Sequence, residues 1–243
     1  MRKEQKANYP ESARGAAALL VRMVLEDGAY TNIALNQYLR GSRLSDLDRR
    51  LATELVYGTV KASGTLDWYL AQCVSRPLDK VAGDILAILR ISTYQLLYMT
   101  RIPASAAVNE AVKLARSVSH EGSAKFVNGV LRGLLRKQEA GAFVLPDAEK
   151  QDADYLSLKY YHPRWLVKRW LGPWGRGGTE RLLAFDNTAA PVCLRANTLV
   201  TTRDKLLADL AEMGAQVRAS KWSPYGIVAE HLPSLHTLLA ALP

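Results

Sequence analysis

The residues best suited to chemistry in this chain are cations. Between Phe126 and Arg136 the apolar residues Phe126, Val127, Val130, Leu131 and Leu134 recur at helical intervals. That spacing defines one face of a helix. Lys125, Arg132, Arg136 and Lys137 fall off the face. A helix divided in this way can lie on a core and show cations to a polyanion. Thiols are the other candidates. Cys73 and Cys193 are far apart, which is neither a disulfide framework nor a zinc spacing. Cys193 falls in an apparent strand between Val192 and Leu194, and Cys73 near a helix end. Reactive thiols need an electropositive, exposed setting, so both read as structural. The four histidines are scattered, none at a metal-ligand spacing, and no metal is expected.

The whole chain leans the same way. Its 243 residues carry 32 Lys and Arg against 23 Asp and Glu, a net charge of +9. A surplus of this size fits a polyanionic partner, although charge bears on binding and not on fold. The bland alternative is a protein that is basic for no functional reason. Hydrophobic content of 49% is ordinary for a globular protein. No apolar run reaches membrane-spanning length. The basic start, MRKEQKANYPESARG, has no apolar stretch of a signal peptide behind it. A cytoplasmic protein, a monomer with no membrane partner, is expected.

These cations have to be positioned by helices. Residues 1–11 read as a loose basic leader. A first helix is predicted from Ser12 to Glu26 and stopped at Asp27-Gly28, with Arg14 and Arg22 off its apolar face. Tyr30 to Arg40 forms a second, with Ile33, Leu35 and Leu39 as core candidates. Ser45 caps a third, whose buried stripe is Leu47, Leu51, Leu55 and then Val56 or Thr59. On its other side Asp48, Arg49, Arg50 and Glu54 can pair in solvent. The helical pattern continues from Thr65 to Cys73, and Tyr94 and Tyr98 are placed at the rim of the core. Leu78 to Met99 reads as one central, most apolar helix. Pro103 and a Ser105 cap open the next, with Val108, Ala111, Val112 and Ala115 on one face. His120 to Ser123 is a turn, with Gly122 suited to a positive φ and Ser123 to capping the basic helix.

After Lys137 the pattern lapses, and residues 139–150 read as a linker. The segment 151–243 then begins with a helix from Asp152 to Tyr160. His162-Pro163 leads into another at Arg164, where Lys168 and Arg169 sit between Trp165 and Trp170. Aromatics interleaved with cations can grip single-stranded nucleic acid. Core filling is the favoured reading for the two tryptophans, and His162 reads as structural. A turn at Gly175 to Gly178 precedes a helix from Thr179 to Phe185, with Leu182, Leu183 and Phe185. Val192, Leu194 and Ala196 alternate in a strand that also carries Arg195. A helix capped by Thr201 or Thr202 runs to Gly214. Strands follow at Gln216 to Ala219 and Gly226 to Ala229, then a short helix from Pro233 to Leu242. Strands packed on helices make a small α+β domain.

Two of these stretches carry a family resemblance. AAVNEAVKLA (Ala106 to Ala115) and FVNGVLRGLLR (Phe126 to Arg136) resemble the closing helices of the NusB-type RNA-binding domain. More narrowly they resemble that domain at the front of the RsmB-type (Sun, Fmu) 16S rRNA cytosine-C5 methyltransferases. YHPRWLVKRW (Tyr160 to Trp170) and PVCLRANTLVTTRDKLLADLAEMG (Pro191 to Gly214) resemble the domain that precedes catalysis in that family. The implied architecture is mainly α: a NusB-like all-α helical bundle over residues 12–138, then a small α+β domain over 151–243.

The resemblance also implies a function. The partner would be RNA, namely 16S rRNA, and the full-length enzyme would use S-adenosylmethionine. Candidate RNA contacts, chosen for charge and helix position, are Arg14, Arg22, Lys125, Arg132, Arg136, Lys168, Arg169 and Arg195. The family's glycine-rich cofactor loop and two catalytic cysteines have no counterpart in the 243 residues, which end about where that domain is expected to begin. No catalytic or cofactor-binding residue is therefore assigned, and this chain alone is expected to bind RNA without methylating it. Two rivals stand beside this reading. One is a non-enzymatic antitermination factor of the NusB kind, against which the second half counts. The other is a protein-interaction module whose charge is incidental.

Overall fold

The computed structural model describes residues 8–232. The chain divides after Ala184 into two compact units. The first holds α1 (Ala13–Leu25), α2 (Thr31–Gly41), α3 (Asp46–Ala71), α4 (Gly83–Tyr98), α5 (Ala104–Val118), α6 (Glu121–Glu139), α7 (Asp152–Tyr160) and most of α8 (Arg164–Asp186). Helix α4 is buried nearly all round, from Ile85 through Gln95. It is the central helix expected from its composition. Against it pack α1, α3, α5 and α6, which share one core built from Leu20, Leu55, Leu70, Ile88, Leu89 and Leu131. The run Ala16-Ala17-Ala18 is wholly buried and lets α1 lie close to its neighbours. Gly15 makes room for the chain before it, since a Cβ there would meet the Pro10 carbonyl oxygen at 2.1 Å.

The ends of these helices follow their local chemistry. Ser12, Ser45 and Thr202 each accept a backbone N–H as N-caps. Gly28 and Gly214 end helical segments with φ of 73° and 83°, a backbone that glycine adopts without strain. Several expectations need correction. The predicted helix from Leu78 is broken: Leu78–Lys80 is a short 3-10 turn, and α4 starts only at Gly83. Ser105 lies inside α5, which begins after Pro103 with no side-chain cap. Gly122 takes ordinary helical backbone, and the cap of α6 is His120, whose ring nitrogen accepts the Ser123 N–H.

Leu47 is 77% exposed, because it falls in the first turn of α3 with no neighbour over it. Ile33 is likewise exposed, leaving Leu35 as the buried residue of α2. The acidic-basic face of α3 forms no ion pairs among the described residues. Arg49 instead donates to the Leu44 and Ser42 carbonyls, and Asp48 accepts from Ser45.

The segment 152–184 packs within the first unit. The Thr65 hydroxyl donates to the Leu158 carbonyl, tying α3 to α7. Ala153, Leu156, Val167 and Leu183 form a small core of their own. Trp170 packs against it, but Trp165 is 66% exposed and fills no core. Phe185 is also exposed. Helix α8 is bent at Gly175, where φ is 59°, two residues after Pro173.

The second unit, from Phe185, is a three-stranded antiparallel sheet with one described helix. Strands β1 (Val192–Arg195), β2 (Gln216–Ala219) and β3 (Gly226–His231) are ordered β1-β3-β2, with α9 (Arg203–Glu212) between β1 and β2 in sequence. Leu206 and Leu210 of α9 pack on Ile227, Leu194 and Val217. The short helix predicted from Pro233 to Leu242 lies outside the described residues.

Candidate nucleic-acid interface

On α6 the apolar stripe is buried as predicted. Val127, Val130, Leu131 and Leu134 are inside and Phe126 is half-buried. Lys125, Arg132 and Arg136 are all exposed. Their spacing of seven and then four residues places them on one line along the helix, over about 16 Å at 1.5 Å per residue. Gly129 and Gly133 lie beside that line, and no residue stands within 4 Å of where a Gly129 Cβ would be. The cations therefore flank bare backbone. Arg132 donates to Asn128 Oδ1 at 3.0 Å, which orients its guanidinium without neutralising it.

Lys137 is not part of this edge. Its Nζ donates to the Gln72 carbonyl at 2.6 Å, satisfying the C-terminus of α3. A groove of about 340 Å³ runs beside the edge, lined by Gln72, Cys73, Gly129, Gly133, Arg136 and Lys137. Cys73 is half-buried, and burial pushes its thiol up, away from the thiolate form, against the pull of nearby Lys137.

The N-terminus of α6 continues the cationic surface. A cavity of about 520 Å³ there is lined by Arg76, Lys80, His120, Ser119, Ser123 and Phe126. The Arg76 guanidinium lies 4.8 Å from the Phe126 ring centre. Arg76 and Lys80 escaped the sequence reading because they sit in an irregular stretch some forty residues before the helix they flank. Arg116, in contrast, is neutralised by two hydrogen bonds to Glu121.

The remaining candidates are dispersed. Arg14 is half-buried and donates through Nε to Gln95 Oε1 at 2.8 Å. Gln95 is 1% exposed and also donates to the Ile91 carbonyl. A buried amide on the central helix thus fixes the direction of a surface arginine. Nothing in the sequence marks Gln95 except its polarity within an apolar run. Arg22 lies between two carboxylates, 3.2 Å from Asp27 and 3.3 Å from Asp84. The Tyr9 hydroxyl donates to the same Asp84 at 2.6 Å, and burial with this carboxylate raises its pKa. Lys168 and Arg169 are exposed on α8. Arg195, on β1, is exposed in the second unit with its guanidinium 6.0 Å from the Tyr225 ring centre.

Among the described residues no group of three His, Cys, Asp or Glu side chains is placed to hold a metal ion. No described helix is long and apolar enough to cross a membrane. Cys193 sits in the predicted strand but is exposed, not packed inside.

Fold and site together define a helical bundle with a cationic edge, followed by a small α+β unit. The chain belongs to the NusB family, whose model it matches over residues 11–136. Residues 162–234 match the RsmF/B-like methyltransferase family's ferredoxin-like domain. The resemblance seen in the sequence to RsmB-type enzymes is borne out by relatives. One is "Probable ribosomal RNA small subunit methyltransferase B" of Synechocystis, 38% identical, covering 89% of this chain and 48% of the relative. Another is the Pseudomonas putida protein "Ribosomal RNA small subunit methyltransferase B", 34% identical over 88% of this chain and 47% of the relative. The chain spans about half the length of the curated relatives it matches. The solved structure titled "Crystal Structure of PH0851" shares the fold, with a TM-score of 0.65 at 20% identity over 96% of this chain and 51% of that one.

Proposed function

We propose that this chain is the RNA-recognising portion of a 16S rRNA cytosine-C5 methyltransferase acting in the cytoplasm. The observation that carries the reading is the exposed line of Lys125, Arg132 and Arg136 on α6, inside the region that matches the NusB family. Cations at this spacing suit the phosphates of folded RNA, which is recognised largely by shape and backbone. Arg14, held by Gln95, and Lys168 and Arg169 are further candidate contacts on the helical unit, and Arg195 is a separate one on the second unit. Arg22, already between two carboxylates, contributes least. A boundary between the two family segments at residues 139–150 is supported by the matches over 11–136 and 162–234, although 152–184 packs with the helical unit.

Methyl transfer belongs to the full-length form with S-adenosylmethionine, which supplies the methyl group there. The described residues do not fit that cofactor. Their sheet is wholly antiparallel, and no described strand leads through a glycine-rich turn into a helix. The chain alone binds RNA as a monomer and transfers no methyl group.

The charge-swapped variant Arg132→Glu/Arg136→Glu tests the reading. It is expected to lose at least about tenfold in affinity for 16S rRNA at 0.1 M salt, from two lost phosphate contacts. Its melting temperature should hold, because both side chains are exposed. Unchanged affinity removes α6 from the footprint. Methyl transfer to 16S rRNA by the chain alone, given S-adenosylmethionine, would overturn the division of labour.

A further inference from the structure

We infer that the face of the second unit's sheet opposite α9, open among the described residues, is a platform for a single strand of RNA, with Trp222 as its base-stacking residue. The inference rests on the RNA-binding reading but concerns a different surface, away from α6 in sequence and in unit.

Side chains alternate across a strand, so this sheet has two faces. Ile227 and Ala229 of β3 are buried, on the side where Leu194, Val217 and helix α9 pack. The opposite face carries the row Cys193, Val228 and Arg218, which stand side by side in the register of the three strands. Two residues along β1, Arg195 is on the same side. Here a cavity of about 470 Å³ is lined by Cys193, Arg218, Ser220, Lys221, Trp222 and Val228.

Trp222 is 96% exposed, the residue type least expected in open water. The loop that carries it is tied down. The Trp222 N–H donates to Ser220 Oγ at 3.2 Å, the Tyr225 N–H to Ser223 Oγ at 3.3 Å, and the Ser220 N–H to the Gly226 carbonyl at 2.8 Å. An indole is thereby presented at the mouth of a cationic cavity, and three residues on, Tyr225 is a second, partly exposed ring.

The charges choose the partner. Among the described residues of this face, Arg195, Arg218 and Lys221 are set against one carboxylate, Glu230, which pairs with Arg218 at 3.1 Å. The lining pairs apolar surface from Trp222, Val228 and Pro191 with these cations, and the surplus of positive charge favours a phosphate backbone. A double helix offers phosphates, but its bases are already stacked. Only an unstacked base gains from the indole, and aromatic-plus-cation surfaces of this kind hold single strands.

The test uses the 243-residue chain, a 12-nucleotide oligouridylate and a 12-base-pair RNA duplex. Trp222→Ala is expected to weaken oligouridylate binding about five- to hundredfold, the range for loss of one base–aromatic stack. Duplex binding should be unaffected, and Trp222→Phe should restore most of the loss. Because Trp222 touches no core, both variants should melt with the parent chain. Cys193 gives a second readout: oligouridylate should slow its reaction with a thiol reagent at least fivefold, read in a Cys73→Ser background.

Oligouridylate affinity within twofold of the parent for Trp222→Ala would overturn the inference. So would Cys193 labelling that is unchanged by bound oligouridylate, or already slow in the free chain, which would mean that another segment or a second copy covers the face. A parent chain that binds neither RNA fails the broader reading. Binding that survives Trp222→Ala but falls with Arg132→Glu/Arg136→Glu fails this inference alone.

Discussion

Replacing Gly58 by alanine should destabilise the helical unit, although alanine is the better helix former. A Cβ at Gly58 would lie 2.1 Å from Cζ of Tyr94 and 2.3 Å from its hydroxyl oxygen. Carbon atoms in favourable contact are separated by about 3.5 Å, so the ring must retreat by roughly 1.4 Å. It has little room. Tyr94 packs at 5.4 Å on Tyr98, which in turn meets Tyr161 edge-on at 5.3 Å, and Tyr161 sits at a φ of 61°. Forcing extra volume into such a site costs typically about 1–3 kcal/mol and occasionally more. The helix-forming gain of alanine returns at most about 1 kcal/mol.

A net loss of about 1–2 kcal/mol is expected, or about 2–8 °C in melting temperature. The contrasting variant is Gly129→Ala, where nothing stands within 4 Å. There the same substitution should stabilise by about 0.5–1 kcal/mol. Urea denaturation followed by helical circular dichroism reads both. Tyr94→Leu in the Gly58→Ala background should recover part of the loss. If Gly58→Ala lies within 0.5 kcal/mol of the parent, taken as about the limit for unstrained sites, or if both glycines respond with the same sign, the packing described for α3 on α4 is wrong.

Two further predictions concern polar groups. Gln95→Leu should lower RNA affinity only while Arg14 is present. In a double-mutant cycle with Arg14→Ala, the two losses should therefore be non-additive by at least about 0.5 kcal/mol, the usual size for coupled contacts; additive losses would show that Gln95 does not position Arg14. The second prediction concerns pH. Glu180 is held below the usual carboxylate range, first by the hydrogen bond from Lys159 and then by Tyr160. A depressed folded-state pKa means that the unfolded chain takes up protons first on acidification. The Glu180 contribution is thus full above the ordinary glutamate range and fades as pH falls through it. Glu180→Gln should flatten that part of the stability–pH curve; an unchanged curve would refute the α7–α8 link.

Much of the fold was legible because it depends on period and punctuation. The stripe from Val127 to Leu134, the Ser12 and Ser45 caps, the stop at Gly28 and the β2 span are each dictated within a few residues. What escaped depends on distant chain. Leu47 and Ile33 have the right spacing but no neighbour to cover them. The bare spot at Gly58 exists because Tyr94, 36 positions later, occupies it. His120 rarely serves as a cap, and its role appears only when its ring is seen beside the Ser123 N–H. For the candidate site, charge and helical spacing gave the α6 edge. They could not separate Arg132, exposed and bound only to the neutral Asn128 amide, from Arg22, paired with two carboxylates. Nor could they give Arg76, Lys80 or Trp222 a place.

The most direct measurement is the salt dependence of 16S rRNA binding by the 243-residue chain and by Arg132→Glu/Arg136→Glu. Each phosphate contact contributes about 0.7–0.9 to the slope of log affinity against log salt concentration. The parent should show a steep slope, and the variant one that is shallower by about 1.4–1.8, with folding intact. Equal slopes for the two, or a parent whose binding ignores salt, would contradict a NusB-type domain that holds RNA along α6.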